Sequence, residues 1–450
     1  MKLRKAPAPA KTITAAEAAQ LVRSGMTIDY AATFNNPSSI DNALGGRVTE
    51  LSDLKVRNTL SMRPLAVMEN DPQGQHVHML SLHMSGYDRM LHDKGRCSYI
   101  PLNLGEGSDY FRRFIAPVDI LMIKVRPLED GYFNLGPTNI WLRAVVERAR
   151  MVIVETSTTI PHVFGEGMGI HLSEVDYIVE GDNGPMPQLP NQAPTSIDVA
   201  VAEHIINQIE DGACLQIGIG GMPNAVCGLL ANAGIKDLGV HTEMMTDGIA
   251  ELYRAGLITG ARKRLDPGKI VYTFAAGTQA LYNTLDRNRD MLCMPVEYTN
   301  SPHLIMQNPR TVAINSTTQV DLTGQAASES DGNRHLTGTG GQAQFVRGAY
   351  ASEFGKSFIC MPSTYDKRGE RRSRIQFNLK EGNIVTTTRA DMMYVVTEHG
   401  IVNLKGKSVP ERARALISIA HPDFREGLEQ QAYENRLIPR GFTFGELTTG

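Results

Sequence analysis

Apolar and polar residues along this chain follow two recurring patterns, one helical and one strand-like. Thr14 and Glu17 have capping-box spacing with Ile13 before them as a staple, and Ala18, Leu21 and Val22 then supply one apolar face. Gly25 is placed to stop that helix. Met26–Ala32 follows as a strand-like run, then the polar turn Asn35-Asn36-Pro37 and a second helical pattern. Near residue 197 the layout returns. Thr195 and Asp198 have capping spacing, and Ile197, Val201, Ile205 and Ile209 recur every four residues. Gly212 closes that helix, Cys214–Ile219 reads as a buried strand, and a Gly-Gly-Met-Pro turn leads into a helix beginning near Asn224. Gly25 to Pro37 is twelve residues and Gly212 to Pro223 is eleven. The pattern predicts an internal duplication, two α/β halves each opening helix–strand–turn–helix. Helix–Gly–strand is also a common order of events, so coincidence stays open at this point.

Short apolar runs punctuate both halves: Ile120–Val125, Met151–Glu155, Ile270–Phe274, Thr311–Ile314, Ser357–Met361 and Met393–Thr397. Helical stretches separate many of them. That alternation predicts an α/β fold of two related open domains with largely parallel sheets, whose strands read as continuous apolar runs. Asn183–Ser196 holds four prolines and little apolar content, which suits a surface linker. The expected domains are residues 1–185 and 197–450.

Composition narrows the function. Among 450 residues, 45 Lys+Arg face 48 Asp+Glu, a net charge of −3, so there is no basic excess to neutralise phosphates and nucleic acid is not an expected partner. The 21% of charged residues fits a globular protein. The uncharged stretch between Asp211 and Lys236 is long enough to span a bilayer, but Gln216, Pro223, Asn224 and Asn232 interrupt it, so no membrane span is expected. Met1–Thr12 is basic with no apolar core behind it, and its Ala-Pro run reads as a leader, not a secretory signal. Five cysteines without CxxC spacing signal neither a zinc site nor a disulfide framework; idle thiols in the cytoplasm are the expectation. The histidines show no metal-binding spacing, and His83, His162 and His421 are expected to be structural or surface residues.

Three segments could carry chemistry. Gly218-Ile219-Gly220-Gly221-Met222-Pro223 stands at a strand end and opens a helix, where free N–H groups favour an anionic oxygen. A dinucleotide-binding reading is open, with Glu243 at the ribose-binding distance, although Pro223 replaces the third glycine of that fingerprint. Glu243, in His241-Thr242-Glu243-Met244-Met245, follows the strand-like Leu238–Val240. It reads either as an exposed or capping carboxylate or as a partly desolvated nucleophile or base. Gly338-Thr339-Gly340-Gly341-Gln342 is either a plain loop or a backbone donor to an oxyanion. Glu398-His399-Gly400 and Glu297-Tyr298-Thr299-Asn300 follow further strands. Glycine loops and acids at several strand ends are the arrangement that ligand sites in open α/β sheets need.

The ordered motifs GACLQIGIGGMPNAV (Gly212–Val226), HTEMMTDG (His241–Gly248), PVEYTNSP (Pro295–Pro302), TGTGGQAQFVRGA (Thr337–Ala349), VVTEHGIVNLKGKS (Val395–Ser408) and RARALISIAHPDFR (Arg412–Arg425) resemble the acetyl-CoA hydrolase/transferase family of class I coenzyme A transferases. The likeness extends to its butyryl-CoA:acetate and 4-hydroxybutyrate CoA-transferases. The N-terminal half matches more loosely, through features such as GYFNLGPTN (Gly131–Asn139).

The resemblance implies two α/β domains of related fold and transfer of CoA from a short-chain acyl-CoA to a free carboxylate. It implies Glu243 as the nucleophile that becomes a glutamyl-CoA thioester. It further implies a glycine loop at Gly218–Met222 and an oxyanion hole at the N–H groups of Ile219 and Gly341. Asn300 would orient the acyl or thioester group, Glu398 would be a supporting acid, and Lys356 would contact CoA. A carboxylate attacking a thioester gives a mixed anhydride and CoA thiolate; the thiolate returns to the glutamyl carbonyl, and the acceptor acid then reverses the steps. Such a carboxylate is ionised at neutral pH and needs no Ser-His-type base. Met222, Met244 and Met245 are either an apolar lining or core. No tightly bound cofactor or metal is implied, coenzyme A enters as acyl-CoA substrate, and family analogy implies a homodimer or homotetramer. Transfer to a small dicarboxylate (succinate or itaconate), acyl-CoA hydrolysis, an NAD-dependent oxidoreductase and a non-catalytic binding module are the alternatives. Phe34, Asn35, Asn36, Met84 and Tyr87 read equally as pocket or as loop and core.

Overall fold

The computed structural model describes residues 3–439. Its contacts divide the chain into two compact units. The first takes the chain up to Pro190 together with Glu243–Met245 and Val271–Thr299; the second takes Asn191–Thr242, Thr246–Ile270 and the chain from Asn300 onward. This cut does not follow chain order as the expected 1–185 and 197–450 do, because Glu243 groups with the first unit.

The first unit is built on an eight-stranded sheet in the order Lys11–Thr12, Tyr177–Glu180, Met151–Thr156, Ile120–Val125, Thr27–Ala32, Leu54–Thr59, Val77–Ser81, Cys97–Tyr99. Every pairing is parallel. Parallel strands are covered on both faces, which is why Ile120–Val125 is apolar almost throughout and buried except at Lys124. Ile28, Val56, Met79, Ile120, Met122 and Ile153 meet Ala18, Ala19, Ile40 and Leu44 from the helices in one core. The helix Ala15–Gln20 starts as its spacing predicts: the Glu17 N–H donates to the Thr14 hydroxyl at 3.1 Å, and the Thr14 N–H to the Glu17 carboxylate at 2.7 Å.

In the second unit, Cys214–Ile217 lies between Gly239–His241 on one side and Thr311–Ser316 on the other; Lys356–Cys360, Tyr394–Thr397 and Gly400–Asn403 follow outward. These pairings are parallel except the last. The first unit repeats this plan. There the strand after the opening helix, Thr27–Ala32, is flanked by its successor Leu54–Thr59 and, on the other side, by the later strand Ile120–Val125. Two α/β units of related, largely parallel topology are thus present, and the duplication seen in the spacing is one of strand order as well.

Local details differ from the expected ones in several places. The strand at Cys214 ends at Ile217, and the next helix begins at Gly221 instead of Asn224. Pro223 fits inside the first turn because the N–H it lacks would find no intrahelical partner there. The helix Ser196–Ile206 buries Val201 and Ile205 but leaves Ile197 exposed. Steps of four advance about 40° beyond a full turn each, so a long series of them rotates off the buried face. The run Ile270–Phe274 is two strands, Ile270–Tyr272 and Phe274–Ala275, with Thr273 between them. Among the described residues, no helix is long and apolar enough to cross a membrane.

Candidate active site

Parallel strands point their C-terminal ends to one edge. In the second unit that edge gathers the segments after Ile217, His241, Ser316, Cys360 and Thr397. The helices Gly221–Leu230 and Gln342–Ala351 lead away from it, so their N-termini face it. Neither helix has a side-chain cap. The positive end of each helix dipole faces this edge, a setting that favours an anionic oxygen.

The first of these N-termini is shaped by glycine. Gly220 has φ +119°, which a side chain would strain. A Cβ on Gly221 would lie 2.5 Å from the Asp198 Oδ2, so only glycine lets this helix approach the N-terminus of Ser196–Ile206. A Cβ on Gly218 would meet nothing within 4 Å. Ile219 is 50% exposed, at the turn between the strand and this helix. Met222, in the first turn of the helix, is buried at 8% exposure.

The second N-terminus follows Gly340, at φ +61°, and Gly341 is its N-cap residue. The preceding loop is tied down by the buried Glu329. Its carboxylate accepts from the Thr339 hydroxyl at 2.8 Å and the Thr386 hydroxyl at 3.2 Å, and its carbonyl accepts from the Leu336 N–H. On the far side, Gln342 donates through Nε2 to the Thr387 hydroxyl at 2.9 Å.

Glu243 is half-buried and follows the strand Gly239–His241 by two residues. Its own unit holds its backbone: the Glu243 carbonyl accepts from the Thr273 N–H at 3.0 Å. Thr273 is in turn gripped by the Gly131–Asn139 motif. Its carbonyl accepts from the Asn139 N–H at 2.9 Å, and its hydroxyl accepts from the Ile140 N–H at 3.1 Å. Asn139 Nδ2 bonds the carbonyls of Glu166 and Cys293, at 2.7 and 2.9 Å. Ile140 has φ +36°, a strained conformation for a β-branched residue, and the surrounding hydrogen bonds maintain it. The Glu243 peptide is thus fixed by buried polar residues from the N-terminal half.

The remaining candidates separate. Glu398 follows the strand Tyr394–Thr397; its carboxylate accepts from the Ser363 N–H at 2.8 Å and the Ser363 hydroxyl at 2.5 Å. His399 stands 3.6 Å from it. Burial, with His421 and Arg425 nearby, holds the His399 imidazole below its usual range against the pull of Glu398. Asn300 is buried just after the short helix Val296–Thr299. Lys356 is not brought to this edge. It begins the strand Lys356–Cys360, level with Val312, and its ammonium donates to the Gln208 carbonyl at 2.9 Å and pairs with Glu210 at 3.3 Å. Met245 is core, whereas Met244 is half-buried. In the first unit, Phe34 packs edge-on to Tyr282 with ring centres 5.3 Å apart, and Asn35 and Asn36 spend their amides on backbone and Asn58 acceptors. Tyr87 donates to Glu69, and Met84 is buried.

The thiols are poor competitors for acyl chemistry. All five cysteines are free and buried, and burial pushes Cys214 up to about 11 and Cys97 and Cys227 up to about 12. Among the described residues no cluster of His, Cys, Asp and Glu could hold a metal ion. Sequence reasoning missed Glu329, Ser363 and Thr273. Glu329 and Ser363 sit in unremarkable polar segments and Thr273 inside an apolar run, so no local signal marks them.

Glycine loops, uncapped helix N-termini and acids at the strand ends of open parallel sheets define an α/β enzyme working at its sheet edge. The chain belongs to the acetyl-CoA hydrolase/transferase family, whose N-terminal domain model matches residues 2–190 and whose C-terminal domain model matches residues 277–432. It is 44% identical to the butyryl-CoA:acetate CoA-transferase of Anaerostipes caccae, over 96% of this chain and 97% of that one. It is 39% identical to the 4-hydroxybutyrate coenzyme A transferase of Clostridium kluyveri, over 93% and 96%. Its fold matches the crystal structure of RipA from Yersinia pestis with a TM-score of 0.86 at 36% identity, covering 95% of this chain and 98% of the other.

Proposed function

We propose that this protein is a CoA-transferase that moves CoA from a short-chain acyl-CoA, butyryl-CoA, 4-hydroxybutyryl-CoA or acetyl-CoA, to a free carboxylate such as acetate. The observation that carries this reading is near-full-length similarity to CoA-transferases in a chain whose second sheet edge keeps two uncapped helix N-termini. Glu243 attacks the thioester carbonyl and CoA thiolate leaves, giving a mixed anhydride; the thiolate then attacks the glutamyl carbonyl and expels the acyl group as its free carboxylate, leaving the enzyme thioester, which the acceptor carboxylate takes through the same steps in reverse. The N–H groups of Ile219 and Gly341 stabilise the oxyanion of each tetrahedral intermediate, and such a donor is worth about 10²–10³ in rate. Asn300 orients the thioester. Glu398 supports it as an acid whose own orientation Ser363 fixes. Coenzyme A is substrate only, with no tightly bound cofactor. A homodimer or homotetramer in the cytoplasm is the assembly and setting proposed, the free thiols suiting a reducing compartment.

The test is incubation with butyryl-CoA in the absence of acceptor, followed by peptide mass spectrometry. A CoA adduct is expected on Glu243. Transfer to acetate with Glu243 unmodified overturns the nucleophile, and release of CoA at the same rate without any acceptor makes the protein a hydrolase. A panel of acetate, butyrate, succinate and itaconate with one donor then fixes the acceptor.

A further inference from the structure

Glu329 is a carboxylic acid at 3% exposure. Carboxylates at such depth are ordinarily paired with a cation, because an unpaired buried charge is costly. Among the described residues no Arg, Lys or His pairs with it; its carboxylate oxygens meet only the hydroxyls of Thr339 and Thr386. These two threonines come from different segments, and each is one or two residues from a group tied to the Gly341 loop. Thr339 precedes it by two residues. Thr386 is followed by Thr387, which accepts from Gln342, the residue after Gly341. The Thr386–Thr387 segment is itself anchored, its N–H groups donating to the Ala326 carbonyl at 2.9 and 3.2 Å. Gly340 and Gly341 have no side chains to hold their loop, and ordering glycine costs more backbone entropy than ordering any other residue. The restraint on this loop has to come from its neighbours.

We propose that Glu329 is a positioning residue: by holding Thr339 and Thr386 together it fixes the Gly341 N–H in the direction that an oxyanion requires. The inference rests on the reading of Gly341 as an oxyanion donor in CoA transfer. It says that the anchor acts through hydrogen-bond geometry, so an amide, with one acceptor and one donor for the two hydroxyls, replaces it.

The experiment compares Glu329→Ala, Glu329→Gln and the unaltered full chain in steady-state transfer and in quenched-flow formation of the Glu243 thioester. Glu329→Ala is expected to lower kcat and the rate of thioester formation about tenfold or more, with KM for acyl-CoA within about twofold. Glu329→Gln is expected to recover to within about threefold of the parent. A Glu329→Ala rate equal to the parent overturns the proposal, as does a Gln variant as slow as the Ala variant. If Glu329→Ala does not fold, Thr339→Val carries the test: slower thioester formation at unchanged KM supports the proposal, and the parent rate overturns it. The two readings fail separately. A parent enzyme without a Glu243 thioester removes the proposed mechanism and this inference with it. A parent with the thioester beside an unimpaired Glu329→Ala removes this inference alone.

Discussion

The two units use the same helix position in opposite ways. In each, a helix follows the strand after the opening helix: Ser38–Gly45 in the first unit and Gly221–Leu230 in the second. In the first, the N-terminus is occupied by the protein's own carboxylate. Glu155, fully buried, accepts from the N–H groups of Ser39 and Ile40 at 3.2 and 3.0 Å and pairs with its cross-strand neighbour Lys124 at 3.3 Å. In the second, no side chain caps the N-terminus. One duplicated helix N-terminus is thus capped by an internal anion, while the other takes no side-chain cap although the Asp198 carboxylate lies close to Gly221, and it is this end that the proposed function gives to an external anion. A helix N-terminus attracts negative charge wherever it lies; what separates a scaffold from a site is whether the chain supplies that charge itself.

Removing the internal anion should show the first half of that contrast. In Glu155→Ala two helix N–H groups lose their acceptor and Lys124 keeps the Ser38 hydroxyl and the half-exposed Asp182, at 3.6 Å, with no buried carboxylate beside it. The expected loss is about 3 kcal/mol of unfolding free energy, typical of breaking a buried pair from one side. Urea unfolding measures it, and transfer activity per folded molecule should be unchanged. A variant that is as stable as its parent but catalytically impaired would mean that the first edge belongs to the reaction.

The reverse experiment closes the open edge. Gly218→Asp places a carboxylate where a Cβ meets nothing within 4 Å, within reach of the N–H groups two and three residues on. The fold should persist while transfer falls about 100-fold, because a carboxylate held at this helix N-terminus repels the anionic oxygen that the neighbouring Ile219 N–H is proposed to stabilise. Gly218→Ala, with room for its methyl group and no acceptor, is the control and should stay within about threefold of the parent. Equal loss in the two variants would assign the effect to loop conformation and not to occupancy of the N-terminus.

The contrast was only half legible in the sequence, for a physical reason. Both openings could be read because capping boxes, apolar strand runs and glycine turns are local, and motif likeness pointed to Glu243. Glu155 reads as nothing more than the end of an apolar run, since the N–H groups it receives lie 115 and 116 residues away. Glu329 and Thr273 escaped in the same way: their roles are defined by partners from distant segments. Lys356 is expected from motif likeness to contact CoA, and its place in the sheet could not be read from that likeness. It is the first residue of a strand, at the end opposite the glycine turns. Register decides such cases, and register is a property of the sheet.

The division of labour also predicts where acid acts on stability. His83 belongs to the first unit, and burial alone lowers its imidazole from 6.5 to about 4. Above pH 6.5 the ring is neutral in both folded and unfolded chains and its contribution is fully present. Between 6.5 and 4 the unfolded chain takes up a proton that the folded ring refuses, so stability falls with pH, levelling off once the folded ring also protonates. At pH 4.5 the loss from this group should be on the order of 2 kcal/mol relative to pH 7. Urea unfolding of the parent and of His83→Gln at the two pH values isolates it: the difference in stability between the proteins should shrink or reverse toward acid pH. If that difference is the same at both values, folding does not shift the His83 pKa, and the acid sensitivity of the first unit lies with its carboxylates.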